Sequence, residues 1–193
     1  MRIISGRFKG RVLTSFQADH IRPTTDRVKE TLFNKWMHSL DEARVLDLFS
    51  GTGSLGLEAL SRGALHVDFV ESNLKSIDIL KKNIALLKLQ NTEYSIVKSD
   101  VILYLNKFRG EAYDLILVDP PFTEKMGHDV MQALAASACY HSGTLIAIES
   151  QKKERMESAY SPLIRHDVND YGDKMLSFFS KKGEDNSEEI TDV

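Results

Sequence analysis

From Arg44 onward the chain alternates short apolar runs with amphipathic stretches, and this alternation narrows the possible folds more than any other feature. Candidate strands lie at 44–49 (Arg-Val-Leu-Asp-Leu-Phe), 66–71 (His-Val-Asp-Phe-Val-Glu), 93–98, 113–118 and 143–149. Helical patterns fall between them, near 55–62, 73–88, 101–108 and 125–138. In the run Tyr113-Asp114-Leu115-Ile116-Leu117-Val118, five of six residues are apolar; it is too short for a helix and reads as a strand buried on both faces. Strand and helix repeated in this way build a parallel sheet with helices on both sides. Beyond a polar segment, 163–169 and 174–180 read as adjacent strands joined near Tyr171-Gly172-Asp173, an antiparallel hairpin that closes the sheet. The expected fold is α/β, with a mostly parallel seven-stranded sheet. A chain of 193 residues can bury about 70% of its unfolded surface as a single core.

Where the fourth of these strands ends, a carboxylate appears: Asp119-Pro120-Pro121-Phe122. Two prolines remove two backbone donors and fix φ, so the chain is rigid and its carbonyls cannot re-enter a ladder. Acceptors and an aromatic face are presented together, a combination that suits gripping a planar group bearing an NH₂. Gly51-Thr52-Gly53-Ser54-Leu55-Gly56 follows the first strand and opens a helix, and Glu71 stands twenty residues after Gly51 at the end of the next strand. Glycines let a backbone pass close to a ligand, and the acid can accept from ribose hydroxyls. The pattern also fits a dinucleotide. Asp47, inside the end of the preceding strand, argues for S-adenosylmethionine over NAD, because a negative charge in the crevice would repel a pyrophosphate and welcome an ammonium or sulfonium. Asp100, after the short third strand, could accept from an adenine N6 amine. Candidate cofactor residues are therefore Asp47, Phe49, Gly51, Thr52, Gly53, Gly56, Glu71, Ser72, Asp100, Val101 and Asp119.

Net charge is only −3 and pI about 6.1, but the distribution is polarised. Residues 1–35 hold eight Arg and Lys against three acids, whereas 184–193 hold five acids and no base. Residues 1–15 read as a small hairpin of Arg2-Ile3-Ile4 and Arg11-Val12-Leu13. Arg7, Lys9 and Arg11 fall at period two and would share one face if extended; that face is either a cation-guarded edge or a phosphate contact. Arg22-Pro23-Thr24-Thr25-Asp26 is a helix-start signal, followed by an apolar stripe of Val28, Leu32, Phe33 and Trp36. Candidate phosphate contacts are Arg7, Lys9, Arg11, Arg22, Thr24 and Arg27, with an Arg27–Glu30 structural pair as the alternative for Arg27. Three parts result: a basic N-terminal extension at 1–40, a catalytic domain at 41–182 and an acidic tail at 183–193 expected to be disordered.

One cysteine, Cys139, excludes an internal disulfide framework and fits a reducing compartment. Met1 to Arg7 lacks a signal-peptide core, and nowhere do 18 apolar residues run together, so a cytoplasmic protein is expected. The six histidines show no ligand spacing, and no metal site is expected.

In these motifs the chain resembles the class I S-adenosylmethionine-dependent methyltransferases. It is most similar to the bacterial small-subunit ribosomal RNA guanine-N2 methyltransferase family, along nearly its whole length to about residue 180. Arg22-Pro23-Thr24-Thr25-Asp26-Arg27-Val28-Lys29-Glu30-Thr31-Leu32-Phe33-Asn34 looks like that family's signature, and Val45 to Leu60 is similarly close. Asp119-Pro120-Pro121-Phe122 looks like the acid-Pro-Pro-aromatic motif of enzymes acting on exocyclic nitrogen, with Phe122 where Tyr is common. The resemblance implies a Rossmann-like fold and a catalytic set of Asp119, Pro120, Pro121 and Phe122. It also implies methyl transfer from S-adenosylmethionine, yielding S-adenosylhomocysteine, to a guanine in ribosomal RNA within a small ribosomal subunit, by a monomer without a metal. The alternatives are a DNA adenine-N6 methyltransferase, for which the chain lacks room for a target-recognition insertion, an NAD-binding oxidoreductase, and a catalytically idle RNA-binding module.

Overall fold

The computed structural model describes residues 1–15, 26–121 and 125–182. The helix-start signal at 22–25, Arg22, Thr24, Phe122 and the acidic tail from 183 lie outside the described residues. The elements run α1 (Asp26–Lys35), β1 (Arg44–Leu48), α2 (Ser54–Ser61), β2 (His66–Glu71), α3 (Leu74–Leu87), β3 (Tyr94–Lys98), α4 (Val101–Lys107), β4 (Tyr113–Val118), α5 (Met126–Ala135), β5 (Tyr140–Gln151), β6 (Ala159–Tyr160), β7 (Leu163–Asp170) and β8 (Lys174–Lys181). They form one sheet in the order β3-β2-β1-β4-β5-β8-β7-β6. The strands β1 to β5 pair in parallel, and β6, β7 and β8 pair antiparallel. The fold is the expected Rossmann-like one, with eight strands in place of seven. The added strand, β6, is two residues long and pairs only with β7, too short to leave a periodicity in the sequence.

The order reverses at β1, whose neighbours are β2 on one side and β4 on the other, so the carboxyl ends of β1 and β4 flank the topological switch point where α/β proteins open a crevice. Alternate residues of each central strand feed two cores. Val45, Phe69, Leu115, Leu117 and Ala147 pack beneath α1, α2 and α3. Leu46, Leu48, Val70, Ile116, Val118 and Ile148 pack beneath α4 and α5. Both faces are dry, which explains why these strands read as continuous apolar runs.

The N-terminal residues form the expected hairpin, with an antiparallel bridge between Arg2 and Val12 and backbone bonds from Ile3 to Arg11 and from Leu13 to Met1, both 2.9 Å. Its tip is the glycine-containing link between the two short strands. Residues 5–10 form turns, with Gly6 and Gly10 at φ 79 and 83, so Arg7 and Lys9 do not lie on an extended strand and the period-two face does not form. The hairpin and α1 share a core with the sheet: Ile3, Leu13, Val28, Leu32 and Phe33 are all buried with the strands beneath α1 to α3.

A buried ion pair fastens this junction. Lys29 of α1 and Glu58 of α2 are both fully buried, 3.7 Å apart. Lys29 Nζ also donates to the Arg2 carbonyl at 2.7 Å. The Glu58 carboxylate accepts from the Ile4 and Ser5 N–H groups at 2.8 and 3.0 Å and from Arg62 Nε at 2.7 Å. Burial holds the Lys29 ammonium below its usual range, with Glu58 opposing the shift. Removing one partner of a buried pair costs about 3–5 kcal/mol, toward the lower end where, as for Glu58, Arg62 still holds the remaining charge. Lys29→Met is therefore expected to lower the urea-unfolding free energy by about 3 kcal/mol, and Lys29→Met with Glu58→Gln to recover part of it; a single variant within experimental error of wild type would show that the pair contributes nothing.

Candidate active site

Side chains alternate along a strand, so residues two apart share a face. Counting on from Val45, Phe69, Leu117 and Ala147, the alternation directs Asp47, Glu71, Asp119 and Glu149 toward the face that carries α1 to α3. All four stand at the carboxyl ends of their strands. The β4–β5 ladder pairs Val118 with Ile148, and Asp119 and Glu149 are the next residues of the two segments, whose paired backbones run about 4.8 Å apart.

Asp47 is 1% exposed, and its Oδ2 accepts the Gly56 N–H at 2.9 Å. Burial pushes its carboxyl up to about 8, against the pull of the Gly56 N–H; the negative charges of Asp119 and Glu71 push it further in the same direction. This corrects one expectation. Asp47 is not an open charge facing the crevice but a buried tie beneath the loop, protonated over much of the neutral range, so repulsion of a pyrophosphate by Asp47 carries little weight against NAD.

The loop above it is built by glycines. Gly53, at φ 86, precedes α2, and a Cβ there would lie 2.4 Å from Leu80 Cδ1. At Gly56 a Cβ would fall 2.3 Å from Phe69 Cε1 and 2.9 Å from Asp47 Oδ2, so α2 rests directly on the sheet. At Gly51, by contrast, a Cβ would meet nothing nearer than the Phe49 carbonyl oxygen at 3.9 Å, which leaves that side of the backbone open. Glu71 holds the loop from below: Oε2 accepts the Gly51 N–H at 2.8 Å and Oε1 the Asn73 N–H at 2.7 Å. Asn73 in turn caps α3. The Thr52 carbonyl accepts from Asn83 Nδ2 at 3.0 Å. Phe49 adopts φ 59 and is half-buried, and Ser72 is exposed.

Other expected residues take different positions. Asp100 caps α4 by accepting the Leu103 N–H at 2.9 Å, and the Val101 side chain is buried in the core beneath α4. Asp119 continues the β4 edge, its N–H 3.5 Å from the Leu48 carbonyl. Pro120 is buried and Pro121 exposed. Among the described residues, no three His, Cys, Asp or Glu side chains are grouped as metal ligands, and no helix is long and apolar enough to cross a membrane.

Residues 1–180 match the family model described as "Conserved hypothetical protein 95". The chain belongs to that family. Its relatives include "Ribosomal RNA small subunit methyltransferase D" of Escherichia coli strain K12, 37% identical over 78% of this chain and 75% of that protein, and its namesake in Buchnera aphidicola (Acyrthosiphon pisum), 36% identical over 79% and 78%. Among solved structures, the Escherichia coli protein yhhF superposes with a TM-score of 0.83 at 32% identity, covering 95% of this chain and 99% of that one. The resemblance to small-subunit ribosomal RNA methyltransferases drawn from the sequence is thus shown, as is the Rossmann-like fold.

The basic candidates of this family member are placed unevenly. Lys9 and Arg11 are exposed on the hairpin. Arg7 pairs with Glu93, its guanidinium 4.5 Å over the Phe8 ring. Arg27 stands 5.8 Å over the Tyr171 ring, in the turn between β7 and β8, an interaction its sequence neighbours did not suggest. Sequence reasoning also passed over Glu149, which is buried and paired with the buried Lys174 of β8. A signal was available, since Glu149 is another acid at the end of a strand.

Asp47 makes stability depend on pH. Its folded value, about 8, lies above the unfolded carboxylate value, so the folded state keeps a proton that the unfolded chain gives up from about pH 4. The contribution is fully present below pH 4 and is lost as pH rises toward 8, at up to about 1.4 kcal/mol per pH unit. Asp47→Asn keeps an acceptor for the Gly56 N–H and removes the titration. Urea unfolding at pH 5 and pH 8 should show a smaller fall in stability for the variant than for wild type; equal falls would place the titration elsewhere.

Proposed function

We propose that this protein transfers the methyl group of S-adenosylmethionine to the exocyclic N2 amine of a guanine in small-subunit ribosomal RNA, in the cytoplasm. The reading rests on one observation: Asp119 and Pro120 stand at the switch point of the sheet, beside a glycine loop held by Asp47 and Glu71. The names of the relatives support methyl transfer to small-subunit ribosomal RNA. The guanine N2 amine is inferred from the resemblance in residues 22–34 together with the acid-Pro-Pro motif.

The residues present fit the cofactor. The backbone is open at Gly51, and Glu71 offers a carboxylate at the strand end for ribose hydroxyls. Thr52, Gly53 and Phe49 would border it, with Ser72, Asp100 and Val101 toward the adenine. When bound, S-adenosylmethionine supplies an electrophilic methyl group. The protein's part is to orient a poor nucleophile, because the N2 lone pair is delocalised into the guanine ring. The Asp119 carboxylate and the Pro120 carbonyl accept the two N2 hydrogens, which favours a pyramidal nitrogen with its lone pair turned to the methyl donor. Asp119 then takes the proton that the methylated nitrogen releases. Placement is the large effect, with effective molarities of roughly 10⁵ to 10⁸ M in well-oriented systems. Phe122 would stack on the base for about 1–3 kcal/mol, offsetting part of the few kcal/mol needed to unstack it.

Asp119→Ala should cut methyl incorporation into undermethylated small ribosomal subunits at least about 10²-fold, the scale of a positioned proton acceptor, with S-adenosylmethionine affinity within a few-fold by calorimetry. Glu71→Ala should instead weaken cofactor binding. Strong residual turnover in the Asp119 variant would sink the assignment, and binding of NAD in place of S-adenosylmethionine would sink the cofactor.

The N-terminal part, residues 1–40, is proposed to contact RNA phosphates through Lys9, Arg11 and Arg27, with Arg7, Arg22 and Thr24 beside them. Lys9→Gln with Arg11→Gln should weaken RNA binding and reduce the slope of log affinity against log salt by about 1 to 2. An unchanged slope would make these cations a solvated surface only.

A further inference from the structure

The carboxyl edge of the sheet is crowded with acids. On the face that carries α1 to α3, Asp47 on β1, Glu71 on β2, Asp119 after β4 and Glu149 on β5 follow one another across neighbouring strands. The next strand is β8, where the same alternation that turns Leu176 and Phe178 to this face turns Lys174 there too. Lys174 and Glu149 form an ion pair whose side chains are 6% and 3% exposed. Arg27 and Tyr171 stand at the same edge from α1 and the β7–β8 turn, followed there by Asp173.

A buried ion pair is costly to assemble and is weak evidence for stability in its own right. This one lies next to the carboxylate that the proposed reaction requires in its ionised form. A like charge within about 4–6 Å raises a carboxyl's protonation point by about one pH unit or more, and an opposite charge lowers it. With Lys174 in place, Glu149 presents Asp119 with a neutral pair instead of a second anion.

We propose that Glu149 and Lys174 are a positioning pair for methyl transfer: Lys174 neutralises Glu149 so that Asp119 stays ionised and can accept the amine hydrogens. The pair acts through Asp119 and does not touch the base. The inference rests on the proposed role of Asp119.

The test is the acid limb of the pH profile for methyl transfer, measured in single turnovers with undermethylated small ribosomal subunits and labelled S-adenosylmethionine. Lys174→Met withdraws the ammonium from beside Glu149 and should move the limb up, with activity regained at higher pH. Glu149→Gln withdraws the carboxylate from beside Lys174 and should move the limb down. Glu149→Gln with Lys174→Met removes both charges and should return it close to wild type. A pair that merely held the fold together would lower activity at every pH without opposite displacements. If Lys174→Met does not fold, Glu149→Gln and the double variant still decide: a limb at the wild-type pH in Glu149→Gln overturns the proposal. Absence of methyl transfer in wild type would instead overturn the assigned reaction.

Discussion

A carboxylate buried beneath a backbone turn holds this structure's working edge together. Asp47 gives up water to accept one N–H, from Gly56, and the cost of that burial is visible in the rise of its carboxyl to about 8. The bond fixes where α2 begins on the sheet. The contact leaves no room for a side chain at position 56, and the loop 51–53 is thereby set at a defined height above β1. Glu71 does the same from β2, tying Gly51 and, through Asn73, the start of α3. Two acids on adjacent strands therefore position one loop and two helices.

The same arrangement creates an electrostatic problem. Carboxylates carried on the same face of neighbouring strands, whose backbones run about 4.8 Å apart, repel one another in a medium of low dielectric. Asp47 answers by holding its proton, and Glu149 is answered by the ammonium of Lys174. Asp119 lies between those two, with both neighbours close to neutral. A carboxylate in the role proposed for Asp119 is served by such a place.

Much of this could be read from the sequence because the signals were local. Strand ends at Glu71 and Val118 match the expected ones, since a run buried on both faces stops where its apolar residues stop. The glycine loop, its acids and the acid-Pro-Pro turn were all visible as residues. What escaped depends on distances between segments. Asp47 was read as an exposed charge because a sequence does not show that Gly56 will close over it. The partner of Arg27 proved to be Tyr171, more than a hundred residues away, and the partner of Glu149 proved to be Lys174 on a strand that returns antiparallel. Whether Arg7, Lys9 and Arg11 share a face depended on the backbone of the link at residues 5–10, which Gly6 and Gly10 turn at positive φ.

The N-terminal segment shows how composition can mislead about organisation. Its cluster of cations suggests an appended arm, yet its backbone is stitched into the catalytic sheet's helices. Ser61 accepts the Arg7 N–H on its carbonyl at 2.7 Å, and Glu58 accepts two further N–H groups from the hairpin. Asn83, fully buried on α3, holds both ends of the connection: its Oδ1 accepts the Thr14 N–H at 2.8 Å, while its Nδ2 donates to the carbonyls of Thr14 and of Thr52 in the glycine loop, each at 3.0 Å. One amide side chain thus joins the hairpin to the loop proposed to hold the methyl donor. The hairpin backbone that carries these cations is thereby tied to the sheet that ends in Asp119. An RNA backbone docked on them would meet the reactive edge at a set distance and angle, so that binding energy gained at the phosphates contributes to placing the base.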